Sequence, residues 1–273
     1  MAYFDKYGVE FSDDRKTLIK CPEDFQGEYI VPEETTRIGN RAFQNCTRLA
    51  GIILSEKVIR IEDYAFWGCV MLKKIFIPQS VSSIGKCAFV GCSNVISVIV
   101  AQTNPVFDSR YNCNAIINTK VNKLIYGCSN TKIPNDIISI GESAFSNCFN
   151  MEIVTIPNSV VTIRGCAFSN CIGLKSVSIP KQVAYIGFGV FLGCKNLATI
   201  SIPRSVKRIQ DNAFSECSSL RCIGVPKGEK KRFAAMDGMK NYTDKIVECE
   251  IKEEELYIDT IFDGESDAYW NID

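Results

Sequence analysis

The chain has 273 residues, 46% of them hydrophobic, with 31 Lys+Arg balanced by 31 Asp+Glu, 14 Cys and no His. A chain this long and apolar can bury one large core. Without His it has no Ser-His-Asp or Cys-His pair, no His-ligated zinc and no imidazole shuttle, so an enzyme is not expected, and a zero net charge argues against general nucleic-acid binding.

The opening Met1-Ala2-Tyr3-Phe4-Asp5-Lys6-Tyr7-Gly8 has neither the basic start nor the apolar stretch of a signal peptide. No apolar run approaches the roughly 18 to 20 residues that cross a bilayer, so no membrane insertion is expected. Val9-Glu10-Phe11 and Thr17-Leu18-Ile19-Lys20, separated by the polar residues 12–16, predict a β-hairpin that caps whatever follows residue 30.

From Val31 the chain repeats. Rows of 23 residues beginning at Val31, Leu54, Ile77, Ile133, Ile156, Ile179 and Ile202 align seven copies. Counting the first residue as zero, aliphatic residues recur there and at four, seven, eighteen and twenty-one, Ala-Phe at eleven and twelve, and Cys at fifteen. One unit of this length cannot bury its own apolar face, so a strict period signals a stacked solenoid. Stretches such as Lys175-Ser176-Val177-Ser178-Ile179 alternate polar and apolar and predict one short strand per coil. Pro78, Pro134, Pro157, Pro180 and Pro203 end those strands, and a short helical or 3₁₀ turn is predicted at Ala-Phe.

Residues 100–132 interrupt the array: they exceed one period by ten and lack Ala-Phe. Within them Ala115-Ile116-Ile117 and Lys123-Leu124-Ile125-Tyr126 predict a second hairpin, which either bridges the blocks 31–99 and 133–224 or reaches the binding side. Residues 225–245 predict a C-terminal cap, with a helix from Glu229 to Met239 turning Phe233 and Met236 inward. Residues 246–273 hold ten acidic residues and one basic, and predict a solvated acidic tail or an added strand through Leu256-Tyr257-Ile258.

The row Ile-Pro-x-x-Val-x-x-Ile-Gly-x-x-Ala-Phe-x-x-Cys-x-x-Leu-x-x-Ile resembles the BspA-type leucine-rich repeat of surface proteins from gut and oral anaerobes, treponemes and some protozoa. So do the flanking segments from Asn104 to Ile117 and from Val225 to Val247. The resemblance implies a leucine-rich-repeat solenoid, a right-handed α/β superhelix of parallel strands with short helical or 3₁₀ turns. It implies protein binding or adhesion at a cell surface, in some members to host extracellular proteins, and no catalytic residue, metal or cofactor.

The cysteine column Cys46, Cys69, Cys92, Cys148, Cys171, Cys194 and Cys217 reads as reduced core packing, since free Cys behaves as a small buried hydrophobe. Asp13-Asp14 falls in a turn and Glu253-Glu254-Glu255 in the tail, so neither predicts a catalytic pair. The informative positions point out of the strand face. Position twenty-two reads Ile53, Phe76, Ile99, then Thr155, Ser178, Ser201, Gly224. Ile53, Phe76 and Ile99, with Lys73 and Lys74 beside them, predict a partner-binding stripe unless the insertion hairpin covers it. Lys181, Arg204, Lys207, Arg208 and Arg221 predict a basic patch that could meet the acidic tail of a second copy, giving self-association. Carbohydrate binding is disfavoured, because the chain has only Trp67 and Trp270.

Overall fold

The structure, a computed structural model, describes residues 2–250. Each 23-residue row forms one coil of a β-solenoid, numbered coils 1 to 7 from Val31. One strand ladder runs through Gly27–Ile30, Leu49–Ile53, Lys74–Ile77 and Ser97–Val100, and resumes with Ser176–Ser178, Thr199–Ser201, Cys222–Pro226 and Ile246–Cys249. Pairing is parallel and shifts by one repeat, as in Val177↔Ile200 and Ile200↔Ile223. Where a proline follows the strand, as Pro78, Pro180 and Pro203 do, it withholds the next donor and turns the chain away from the ladder.

A second parallel ladder was not foreseen from the sequence. It consists of two-residue strands ending on the isoleucine at position seven: Arg37–Ile38, Arg60–Ile61, Ser83–Ile84, then Ser139–Ile140, Thr162–Ile163, Tyr185–Ile186 and Arg208–Ile209. Two residues are too short to show an alternating pattern, so only the isoleucine column betrays them.

Ala-Phe lies in successive tight turns with i→i+3 bonds, such as Ala42 N–H to Gly39 O and Cys46 N–H to Phe43 O. They keep 3₁₀-like bonding but never join into a helix, because positions ten and fourteen are left-handed in every coil. Examples are Arg41 (φ 57°) and Asn45 (φ 60°), Tyr64 (φ 57°) and Gly68 (φ 76°), and Cys166 (φ 55°) and Asn170 (φ 56°). These kinks aim the N–H groups of positions ten, twelve and fourteen at the next coil. Arg41 donates to Asp63 O, Phe43 to Ala65 O and Asn45 to Trp67 O at 2.7–3.0 Å. A third row of inter-coil hydrogen bonds results.

Inside, the phenylalanine column stacks face to face. Phe43, Phe66 and Phe89 lie 5.0 and 5.3 Å apart; Phe145, Phe168, Phe191 and Phe214 lie 5.1, 5.6 and 5.9 Å apart, with planes within 7°. Each buried ring contributes about 3 kcal/mol of transfer free energy. The cysteine column packs behind it. Cys69, Cys92, Cys171, Cys194 and Cys217 each donate their thiol to a phenylalanine carbonyl one coil back, at 3.0–3.2 Å.

The insertion hairpin divides this core. Ala115–Asn118 and Lys123–Gly127 pair antiparallel, and the second strand joins Ser139–Ile140 in parallel, so the hairpin bridges the two stacks. Ile116 and Tyr126 pack with coils 1 to 3, whereas Ala115, Ile117 and Leu124 pack with coils 4 to 7. Tyr126 replaces the missing phenylalanine, tilted 45° against Phe89 at 5.4 Å, with its hydroxyl donating to Cys92 O at 3.4 Å. Gly127 must follow it, because a Cβ there would lie 2.2 Å from the Phe145 ring.

Both ends of the described chain are closed. Glu10–Phe11 pairs with Tyr3–Phe4 and Thr17–Lys20, and Tyr29 donates its hydroxyl to Asp5 at 2.6 Å. The C-terminal helix is shorter than the sequence suggests: it spans Lys230–Ala234, and a 3₁₀ segment covers Asp237–Lys245. Met236 is extended (φ −74°, ψ 143°), which stops the helix, so the fully buried pair is Phe233 and Met239. Ile246–Cys249, placed by sequence at the start of the acidic tail, is instead a strand paired with Cys222–Pro226. The remaining tail, with Leu256-Tyr257-Ile258, Glu253-Glu254-Glu255 and Trp270, lies outside the described residues.

Candidate partner-binding face

Alternation along the first ladder decides which side chains meet solvent. Tyr29, Ile52, Ile75 and Val98 point into the core, and their successors point out. Ile53, Phe76 and Ile99 are 47%, 45% and 51% exposed, and the hairpin does not cover them. Ile30, one residue ahead of the first row, pairs with Ile53 and is 66% exposed. Phe76 pairs with Ile99, and strands Leu49–Ile53 and Lys74–Ile77 are neighbours. Four successive coils thus carry one apolar stripe. Ile96 and Met71, ahead of strands Ser97–Val100 and Lys74–Ile77, are also exposed.

Lys73 and Lys74 flank this stripe and are exposed. The Lys73 carbonyl accepts from Ile96 N–H at 3.0 Å, and neither ammonium forms an ion pair among the described residues. Covering one half-exposed side chain of the stripe would release about 1 kcal/mol, so four together can support recognition. The same column in coils 4 to 7 differs. Thr155, Ser178, Ser201 and Gly224 are small, and Ser201 donates to the Ser178 hydroxyl at 3.0 Å.

Among the basic residues, Lys181 and Arg204 share position two on adjacent coils, Lys207 precedes and Arg208 begins a strand of the second ladder, and Arg221 lies at the entry of the first. Arg204 is already engaged by Glu229 of the cap, Nε to Oε1 at 3.0 Å. Glu229 also accepts from Arg232, and this bond holds its carboxyl below the usual range. Lys207, Arg208, Lys181 and Arg221 remain exposed.

All fourteen cysteines are free, and none of the described His, Cys, Asp and Glu residues cluster in threes to hold a metal ion. Burial pushes the Cys217 thiol up to about 12 and Cys113 to about 11, which removes the thiolate needed for reaction. Asp14 caps a turn by accepting from Ser12 and from Lys16 N–H, which hold its carboxyl below the usual range. No helix among the described residues is long and apolar enough to cross a membrane.

Comparison with known proteins follows the same lines. A leucine-rich cell surface protein from Faecalibacterium prausnitzii is 29% identical, with a TM-score of 0.63 over 79% of this chain and 63% of that one. The pneumococcal vaccine antigen PcpA shares the fold at 20% identity and a TM-score of 0.57, over 74% of this chain and 57% of PcpA. A leucine-rich repeat protein from Bacteroides ovatus shares it at 22% identity and a TM-score of 0.50, over 82% of this chain and 69% of that one. This chain therefore spans less than two thirds of the first two proteins. No curated protein matches the sequence. The BspA type leucine rich repeat region matches in six copies over residues 25–133 and 116–233, and with most of its length so covered, the chain belongs to the BspA-type leucine-rich repeat family.

Proposed function

We propose that this chain is a non-catalytic scaffold that binds a protein partner through the strand face of its N-terminal coils, with Phe76 as the anchor between Ile53 and Ile99. One observation carries this reading. Four adjacent coils present large apolar side chains to solvent at a position that the later coils fill with Thr, Ser and Gly. Contiguous exposed apolar surface marks contact sites, and aromatic residues dominate their energetics. The coils hold these side chains on a fixed grid, so binding costs little ordering entropy. A leucine-rich cell surface protein among its structural relatives supports a role at a cell surface, where the partner would be an extracellular protein.

The test is surface binding of the wild type and of Phe76→Lys to immobilised fibrinogen, fibronectin and laminin, with thermal unfolding measured alongside. Binding to at least one of these by the wild type, lost in Phe76→Lys at unchanged Tm, is the expected result. Equal binding by both proteins would overturn the assignment.

A further inference from the structure

The joint between coils 3 and 4 leaves a slot in the wall of the solenoid. In coils 1 and 2 the N–H groups at positions ten, twelve and fourteen reach carbonyls of the next coil, as Tyr64 does to Lys86 O, Phe66 to Ala88 O and Gly68 to Val90 O at 2.7–2.9 Å. Coil 3 has the same left-handed residues, Cys87 (φ 52°) and Gly91 (φ 80°). Its donors therefore point the same way, but the inserted segment runs through the core at Tyr126 and offers no Ala-Phe turn to receive them. The N–H groups of Cys87, Phe89 and Gly91 have no protein acceptor among the described residues, although Phe89 is only 2% exposed.

The opposite wall shows the complementary vacancy. In the regular coils, carbonyls at positions nine, eleven and thirteen accept from the coil before. In coil 4 only the central one does, Ala144 O from Gly127 N–H at 2.9 Å, leaving Glu142 O and Ser146 O unpaired among the described residues. Ile84, at the foot of the slot, is also less buried than the other isoleucines of its column. Between these walls lies a cavity of about 180 Å³ lined by Ile84 to Val90, Lys123, Ile125, Tyr126 and Gly141 to Ser143. At its mouth the Cys87 thiol meets Ser143, a contact an occupant would replace. The corresponding N–H groups of Asn212, Phe214 and Glu216 in coil 7 likewise have no acceptor among the described residues, but there Tyr242 of the C-terminal cap packs edge-on against Phe214 at 5.8 Å.

The geometry points to this slot as a binding site for a short extended peptide with small side chains, which enters in place of the Ala-Phe turn missing between coils 3 and 4. A peptide is favoured over a simple anion because the walls differ. Among the lining residues, Cys87 and Phe89 carry N–H groups without an acceptor on one side and Glu142 carries a carbonyl without a donor on the other, so only a ligand with both acceptors and donors satisfies them. Left-handed turns also form backbone nests that favour oxygen acceptors. Lys123, half-buried in the lining and without an ion pair among the described residues, adds attraction for a terminal carboxylate; burial and then Arg164 hold its pKa below the usual value. This site is separate from the strand-face stripe and stands without it.

The experiment is a ¹⁵N NMR titration of the full chain with acetyl-Gly-Ala-Gly, alongside sodium acetate at equal concentration. Saturable shifts of the Cys87, Phe89 and Gly91 amides with the peptide, at least tenfold slower hydrogen exchange there, and tenfold weaker binding by Glu142→Trp are expected; Phe76→Lys should titrate as the wild type. The inference is overturned if the three amides do not move, if acetate reproduces the full set of shifts, or if Glu142→Trp binds like the wild type.

Discussion

Coils 1 to 3 and coils 4 to 7 are the same object inside and different objects outside. Phe66 and Phe168 sit in equivalent stacks, and Cys92 and Cys194 bond the same carbonyl at 3.2 and 3.0 Å. On the solvent side of the same strands, Ile53, Phe76 and Ile99 face Thr155, Ser178 and Ser201 as counterparts one block away. The lesson is that stacking dictates the inward columns and leaves the outward ones unconstrained. A large apolar residue kept outward on successive coils therefore answers to something other than folding.

The inward identity predicts the largest effects. Phe66→Ala and Phe168→Ala should each cost about 3 to 5 kcal/mol, because each opens a cavity in a stack with neighbours on both sides. Urea denaturation of the two variants should give equal losses within error; a near-neutral result for either would break the equivalence. Tyr126→Ala removes the ring that joins the blocks and should cost about 3 kcal/mol. It should also split one unfolding transition into two, visible by calorimetry, since the stacks then share fewer contacts.

Smaller effects follow from the thiols. Cys194→Ala removes one of two donors to the Phe168 carbonyl, which keeps the Cys171 N–H at 3.2 Å, and should cost about 1 kcal/mol. In the native protein the buried column should resist alkylation at pH 8, and denaturation without reductant should expose it to labelling. On the outward column, Phe76→Lys should change stability by less than about 0.5 kcal/mol, because the side chain touches little that it would leave empty. The cap should show the weakest, pH-dependent effect. The Arg232 bond depresses the folded-state pKa of Glu229, so its stabilisation is present above the ordinary value of 4.5 and is lost as pH falls through the folded value. Tm should fall in that acidic range, and Glu229→Gln should make the fall shallower.

Much of this was legible in the sequence. The 23-residue period, the phenylalanine and cysteine columns and the prolines specify coils, core and strand ends, because each column is one recurring environment. The left-handed residues at position ten were not legible, since Arg41, Tyr64, Cys87 and Ser143 share no residue type that announces them, whereas position fourteen, Asn or Gly in six of the seven coils, carries the signal. The backbone is forced there by the ladder on either side. Ile30 was missed because the repeat was counted from Val31, although it occupies position twenty-two of the preceding cap coil. Among the basic residues, Arg204 has a partner in the cap, Glu229, that no repeat pattern contains, and Lys207 acts on the same carboxylate.

The most direct test pairs the two blocks. Phe76→Lys and Ser178→Lys place the same charge in the same column, one in the apolar stripe and one in its polar counterpart. Binding of both to the immobilised extracellular proteins that the wild type recognises should be lost in the first and kept in the second, at equal Tm. Equal binding by the two variants, or equal loss, would contradict the claim that the N-terminal stripe is where this solenoid meets its partner.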